Sequence, residues 1–274
     1  MIKSKIVQTI KVKIPTIIMA ILVSVIFIYY TSYGNANLDN TPNWVKDGSL
    51  IAHALGGIDG SSYTNSLEAF ISNYKKGFRA FEVDLIFSSD GFLIAKHDWI
   101  TETIPPLSLK EFKNRKVYNK YTSLSFEDIA RLMKQYPDMY IITDAKETKK
   151  EDVLRAFKSI YDTSLKVDKS ILDRIIPQIF YPDMLTIINS VYKFKNIIYT
   201  LYLSHASDNE VIKSVIMNNI KIVTMPKKRC DKAFIERLRK NGIYVYVHTV
   251  DTIKDMQLFR QMGANGFYTN FLSP

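Results

Sequence analysis

The chain is short of the residues that staple small secreted proteins. It holds one cysteine, Cys230, in 274 residues. A lone thiol closes no internal disulfide and offers no thiolate cluster for zinc. No internal repeat or low-complexity tract is present, which excludes a solenoid. Dense blocks of like charge are missing too, although the formal net charge is +10. Setting aside the four lysines at the extreme N-terminus leaves 33 basic residues against 27 acidic, a net +6. That balance suits an anionic surface or anionic substrates, and no nucleic-acid-binding motif accompanies it. Acid is absent before Asp39, and charge of either sign is absent from Ile14 to Tyr30.

The segment Ile14–Tyr30 is 17 residues long and follows Lys3, Lys5, Lys11 and Lys13. It is at the low end for a membrane span and longer than most signal-peptide cores. The expected organisation is a cytoplasmic basic tail over 1–13 and a transmembrane anchor over 14–31. A Gly-, Asn-, Pro- and Ser-containing linker over 32–48 then leads to one domain over 49–274. A signal peptide cut near Gly34-Asn35-Ala36 is the alternative. Lysines before the span place the N-terminus in the cytoplasm and the domain on the outer side of the membrane.

Beyond the linker, short β-branched runs alternate with helical patterns. Strands are expected at 50–53, 80–87, 92–97, 139–144, 174–180, 196–203, 221–225, 243–250 and 266–269. Helices are expected at 65–76, 125–136, 148–161, 184–192, 208–219, 231–241 and 252–262. Such alternation predicts a parallel sheet covered by helices, and the length fits an eight-fold TIM (β/α)8 barrel. Nine strands are one too many. Ser88-Ser89-Asp90-Gly91 accounts for the surplus as a hairpin turn, which makes one flanking segment antiparallel.

The polar residues His53, Asp144, Gln178, His205 and His248 fall near the C-terminal ends of these strands, the rim where barrel enzymes collect catalytic groups. Glu82 and Asp84 alternate with Phe81, Val83 and Leu85, so in a strand the two carboxylates share one face. Two such anions repel each other unless a cation or a proton lies between them, and a hard divalent ion is the usual solution. His53 and His97, ending nearby strands, supply groups suited to acid–base chemistry beside a metal. Lys146 shares a strand face with Asp144, which sets an ammonium beside the acids. Asp98 is expected to orient local backbone, and His248 to form part of a pocket wall.

The ordered set of His53, the Asn65–Phe70 segment, Gly77, Glu82-Val83-Asp84, Asp90-Gly91 and His97-Asp98 resembles the glycerophosphodiester phosphodiesterases, within the phospholipase-C-like phosphodiesterase superfamily. Ile142-Thr143-Asp144-Ala145-Lys146 resembles the family's strand with a third acid and a lysine. The segment Gly263–Asn270 resembles its closing glycine-rich strand. The resemblance implies a TIM barrel in which Glu82, Asp84 and Asp144 hold one divalent cation, Mg2+ or Ca2+. It implies His53 and His97 as the acid–base pair and Lys146 as the group that neutralises phosphate. Asn65, Gln178 and His205 complete the expected substrate contacts.

Departures from the family pattern accompany this resemblance. Ala54 stands where the family usually has Arg, and Tyr63-Thr64-Asn65-Ser66 where it usually reads Pro-Glu-Asn-Thr. Asp144 replaces a Glu, and His248 stands where Trp is common. Arg grips phosphate with two hydrogen bonds and Ala with none, so phosphate recognition is redistributed. Gly56-Gly57-Ile58-Asp59-Gly60 replaces a shorter loop and offers Asp59 as an extra polar contact. The leading expectation is a membrane-anchored, outward-facing phosphodiesterase acting on glycerophosphodiesters or on glycerophosphate or sugar-phosphate diesters of the cell envelope. A lyase of the same fold that forms a cyclic phosphate, and a catalytically silent barrel that binds envelope glycans, are the alternatives.

Overall fold

The computed structural model describes residue 45 and residues 49–99 and 105–274. The expected tail, the anchor and all of the linker except Val45 lie outside the described residues. Among the described residues no helix is long and apolar enough to cross a membrane.

The strands are β1 (Ser49–Ala52), β2 (Ala80–Phe87), β3 (Leu93–Ala95), β4 (Tyr140–Ala145), β5 (Ile175–Ile179), β6 (Ile198–Thr200), β7 (Ile222–Pro226), β8 (Tyr244–His248) and β9 (Gly266–Thr269). Parallel pairing runs β1-β9-β8-β7-β6-β5-β4-β2, and β2 meets β1 to close the ring. This is the eight-stranded parallel barrel expected from the alternation. The surplus strand is β3, which runs antiparallel to β2 through Leu85–Ala95, Ile86–Ile94 and Phe87–Leu93. Because β1 touches β2 only at Ala52–Phe81, the far end of β2 projects beyond the ring, and β3 covers the edge left open.

The helices are α1 (Leu67–Lys75), α2 (Leu109–Asn114), α3 (Phe126–Gln135), α4 (Lys150–Val167), α5 (Asp183–Val191), α6 (Asp208–Met217), α7 (Lys232–Lys240) and α8 (Ile253–Gln261). The hydrophobic period did not reveal α2, which has one buried residue, Phe112. Its signal is the capping box of Ser108 and Glu111, which satisfies backbone donors at the helix start. α4 runs six residues past its expected end. Ser164, a polar residue in that extension, is buried with its hydroxyl donating to Ile160 O at 2.7 Å, so it does not stop the helix.

Period two sorts each strand. Phe81, Val83, Leu85, Ile141, Tyr199, Val223 and Val245 face outward and pack against Phe70, Phe157 and Phe234 of the helices. Inside, Ile51, Ala80, Ile142, Ile176, Ile198, Ile222, Tyr246 and Tyr268 fill the barrel floor together with Val45. Val45, assigned above to the linker, is therefore buried in the domain. Gly266 makes room for this floor, because a Cβ there would lie 2.3 Å from the Tyr246 ring. Two residues beyond each floor residue the chain carries a polar one: His53, Glu82, Asp144, Gln178, Thr200, Thr224, His248 and Asn270. The floor is dry and the opposite end polar, so the site is confined to the C-terminal mouth.

Candidate active site

A cavity of about 270 Å³ opens at that mouth, lined among others by His53, Glu82, Asp84, His97, Asp144, Lys146, Gln178, Tyr202 and His248. Glu82, Asp84 and Asp144 are buried and present oxygens within 4.8 Å of one another. They come from adjacent strands in register, with Asp84 opposite Asp144.

Backbone and side-chain donors hold these acids in place. Ala54 N–H donates to Glu82 Oε2 at 2.7 Å. Asn65 Nδ2 donates to Asp84 Oδ2 at 2.8 Å, and Asn65 Oδ1 accepts from Asp84 N at 3.1 Å. Both arrangements depend on left-handed backbone in the β1–α1 connection, at Ala54 (φ 50°) and Asn65 (φ 46°). Non-glycine residues held in that region carry strain of about 1–3 kcal/mol each and cluster at functional sites. Asn65 thus lies beneath Asp84 and positions it, where a substrate contact was expected.

Lys146 Nζ lies 2.6 Å from Asp84 Oδ1, an ion-pair distance without hydrogen-bond alignment, and also pairs with Asp144 Oδ2. Tyr202 OH donates to Asp144 Oδ1 at 3.2 Å. Burial, then repulsion from Asp84 and Asp144, pushes the Glu82 carboxyl well above its ordinary range. Burial also raises Asp144, with the Lys146 ammonium only partly opposing it. For Asp84 burial acts upward, but Lys146, His53 and the Asn65 bond outweigh it and hold the carboxyl low. Burial opposes the charge on Lys146, yet Asp144 and Asp84 keep it protonated.

The residues fit a hard divalent cation. Glu82 Oε1 is a buried oxygen with no hydrogen-bond partner, and all three side chains in the cluster offer oxygen, the donor Mg2+ and Ca2+ prefer.

His53 is fixed by contacts from the other end of the chain. Its Nδ1 lies 3.0 Å from Asn270 Oδ1. Asn270 Nδ2 donates to Asp251 Oδ2 at 2.8 Å, which turns the amide oxygen toward the imidazole. Nδ1 then donates to Asn270, and Nε2 is the nitrogen turned into the cavity, 3.9 Å from Glu82 Oε2. His97 Nδ1 lies 2.5 Å from Asp98 Oδ2, so Asp98 orients this histidine. Tyr63 stands between the two imidazoles, edge-to-face with His53 at 4.7 Å and with His97 at 5.0 Å.

Other expected contacts are placed differently. His205 is exposed on the loop after β6 and is not among the residues lining the cavity. Tyr202, three residues earlier, reaches Asp144 instead, because that loop turns back at Ser204 N–H to Leu201 O. Gln178 lines the cavity and accepts from Tyr268 OH at 2.9 Å. His248 forms wall, with Nδ1 2.9 Å from Thr224 Oγ1. Burial, then His53 and Lys146, lowers its basicity to a pKa of about 3 and keeps it neutral. Asp59 pairs with Lys120 at 2.6 Å, away from the cavity. Asp251 was missed in the sequence, as was the role of Asn270. Neither carries a local spacing signal, since Asn270 lies 217 residues from its histidine.

A buried carboxylate triad, an ammonium and two histidines at a barrel mouth define a metal-assisted phosphodiesterase site. The chain belongs to the glycerophosphoryl diester phosphodiesterase family, whose sequence profile matches residues 57–273. It is accordingly a phosphoric diester hydrolase of a divalent-metal-dependent family. No curated relative matches its sequence. Solved structures share the fold at low identity. A glycerophosphodiester phosphodiesterase from Parabacteroides distasonis is 17% identical with a TM-score of 0.68, covering 82% of this chain and 93% of that one. The enzyme from Thermotoga maritima is 20% identical with a TM-score of 0.59, covering 81% and 93%. A phosphodiesterase from Oleispira antarctica, solved in complex with the product sn-glycerol-3-phosphate, is 14% identical with a TM-score of 0.67, covering 82% and 94%.

Proposed function

We propose that this enzyme hydrolyses glycerophosphodiesters, or glycerophosphate or sugar-phosphate diesters of the cell envelope, from a membrane-anchored position with its domain outside the membrane. The carboxylate cluster beside Lys146 at the barrel mouth carries the catalytic part of this reading. The uncharged run over 14–30 behind four lysines supports the anchor and its orientation. The Oleispira complex with glycerol phosphate supports a glycerol-bearing substrate.

A phosphodiester anion resists nucleophiles, so hydrolysis requires charge neutralisation, a base and an acid. Mg2+ or Ca2+ held by Glu82, Asp84 and Asp144 supplies Lewis-acid neutralisation when bound. Lys146 adds a fixed positive charge. His53, with its lone pair on Nε2, takes a proton from the attacking water as the new P–O bond forms. His97 gives a proton to the alkoxide oxygen as the ester P–O bond breaks. Asn270 and Asp251 keep the His53 tautomer in place.

Phosphorus NMR of a glycerophosphodiester incubated with the full chain, with Mg2+ and Ca2+ compared, tests the reaction. Appearance of a phosphomonoester is expected, and full activity in excess chelator would sink the metal assignment. A persistent cyclic phosphodiester signal would instead assign the lyase reaction. Protease added to intact protoplasts tests topology: loss of the domain is expected, and complete protection would overturn the outward orientation.

A further inference from the structure

A groove of about 630 Å³ adjoins the catalytic cavity, and Tyr63 and His97 line both. Tyr63 sits at this junction without serving the core. It is 42% exposed and joins none of the apolar clusters among the described residues. Its backbone is left-handed, at φ 57°, a conformation that is costly for a non-glycine residue and collects at functional sites. We infer that Tyr63 is a positioning residue for the acid–base pair, its ring carrying the fixed placement of His53 across to His97. The inference rests on the phosphodiesterase reading above and deepens it at the same site.

The chain on either side of Tyr63 is firmly held. Thr64, Asn65 and Ser66 are buried. Asn65 makes its two bonds to Asp84, and Thr64 Oγ1 lies 3.0 Å from Ser66 Oγ. Ser66 caps α1 by accepting from Ala69 N at 3.3 Å. On the other side, Ser62 O accepts from Tyr118 OH at 3.2 Å. A ring mounted on such a segment keeps its place relative to the carboxylate cluster. Its centroid lies 4.7 Å from that of His53 with the planes at 79°, and 5.0 Å from that of His97 with the planes at 80°. Edge-to-face contacts of this kind are attractive and directional.

The two histidines depend on this ring unequally. The His53 side chain is 13% exposed and is bonded to Asn270, from the far end of the domain. The His97 side chain is 46% exposed and lies two residues beyond the end of β3. Its hydrogen-bond partner, Asp98, is its neighbour in the chain, so that bond orients the ring locally and sets no distance to His53. Among the described residues, Tyr63 is the aromatic side chain that meets both imidazoles. Attack opposite the leaving oxygen requires base and acid on opposite sides of one phosphorus. A displacement of about 1 Å at such a group can cost about a hundredfold in rate. The separation of the imidazoles is thus a catalytic quantity, and the Tyr63 ring fixes it by its bulk.

The test uses the full chain in detergent, as wild type, Tyr63→Phe and Tyr63→Leu, with glycerophosphoglycerol as substrate. Tyr63→Leu should lower kcat about tenfold or more with KM within about twofold of wild type. Tyr63→Phe, which keeps the ring, should hold kcat within about threefold of wild type and so separates ring placement from folding. The chain has four histidines, so NMR of ring-labelled histidine, assigned by single substitutions, gives a readout that needs no turnover. In excess chelator the His53 and His97 signals should both move in Tyr63→Leu as the ring current is lost, and stay near wild type in Tyr63→Phe. Unchanged kcat in Tyr63→Leu would overturn the inference, as would an unmoved His97 signal. Were Tyr63→Phe to lose as much kcat as Tyr63→Leu, the hydroxyl would be a substrate contact and the positioning role would fall. A rise in KM alone would sink it equally. Should wild type hydrolyse no diester while the histidine signals respond as expected, the phosphodiesterase reading fails and the coupling through the Tyr63 ring stands.

Discussion

The catalytic cavity and the groove beside it share two residues but are built by opposite means. In the cavity, charge sits on strand ends. Glu82, Asp84 and Asp144 are buried, and each is held by a hydrogen bond or an ion pair from another segment. In the groove, charge sits on connecting segments outside the barrel strands, with Arg115 and Lys116 exposed. Strand ends are rigid and desolvated, so each charge there acts strongly and tolerates no rearrangement. An exposed loop positions charge cheaply and weakly, and it can vary without endangering the barrel. The contrast places the buried charge of the site on the strand ends.

The largest effects should therefore fall on the strand-borne cluster. Chelation should reduce turnover to background, and Glu82→Gln should weaken metal binding measured by calorimetry while circular dichroism stays native. Retained metal affinity in that variant would mean the triad is not the ligand set. His53→Ala and His97→Ala should each lower kcat by about two orders of magnitude or more. His248→Ala should cost less, because its imidazole is neutral wall; a loss equal to that of His53→Ala in a folded protein would exchange their roles.

A smaller effect is expected one contact further out. Asn270→Ala should lower kcat by about tenfold with little change in KM, since His53 loses the group that fixes its tautomer and not a substrate contact. A rise in KM alone would place Asn270 in substrate binding. The smallest effect belongs to the loop side. Asp128 at the start of α3 accepts from Ser125 N at 2.7 Å and pairs with Lys113 of α2, tying the groove wall to the barrel. Ser125→Ala should cost about 1 kcal/mol of stability, the usual worth of a helix cap. Burial acts to raise the Asp128 carboxyl, but the Lys113 and Ser125 bonds outweigh it and hold it below 3.8. Its stabilisation is therefore present above that pH and lost as pH falls below it. Denaturation of Asp128→Asn against wild type should show a stability gap near neutrality that closes in acid. A gap that widened in acid would reverse the sign.

The sequence by itself determined the barrel and the acids. In each barrel strand an inward apolar residue is followed two positions later by a polar one, as in Ala80 to Glu82, Ile142 to Asp144 and Tyr246 to His248. Strand periodicity converts that spacing into a dry floor and a polar mouth without knowledge of any distant contact. The Asp-Gly turn likewise foretold one antiparallel segment beside it, and the structure assigns it to β3. Only the tertiary structure decided which of the polar residues touch. Asn270 reaches His53, with Asp251 holding its amide from behind, because β9 closes against β1, a pairing between the two ends of the domain. Asn65 supports Asp84 from below because the β1–α1 connection takes up left-handed backbone. Tyr202 reaches Asp144 and His205 does not, because the β6 loop turns back on itself. Local spacing fixes which face a side chain takes; it carries no information about a partner brought near by ring closure or by an irregular loop.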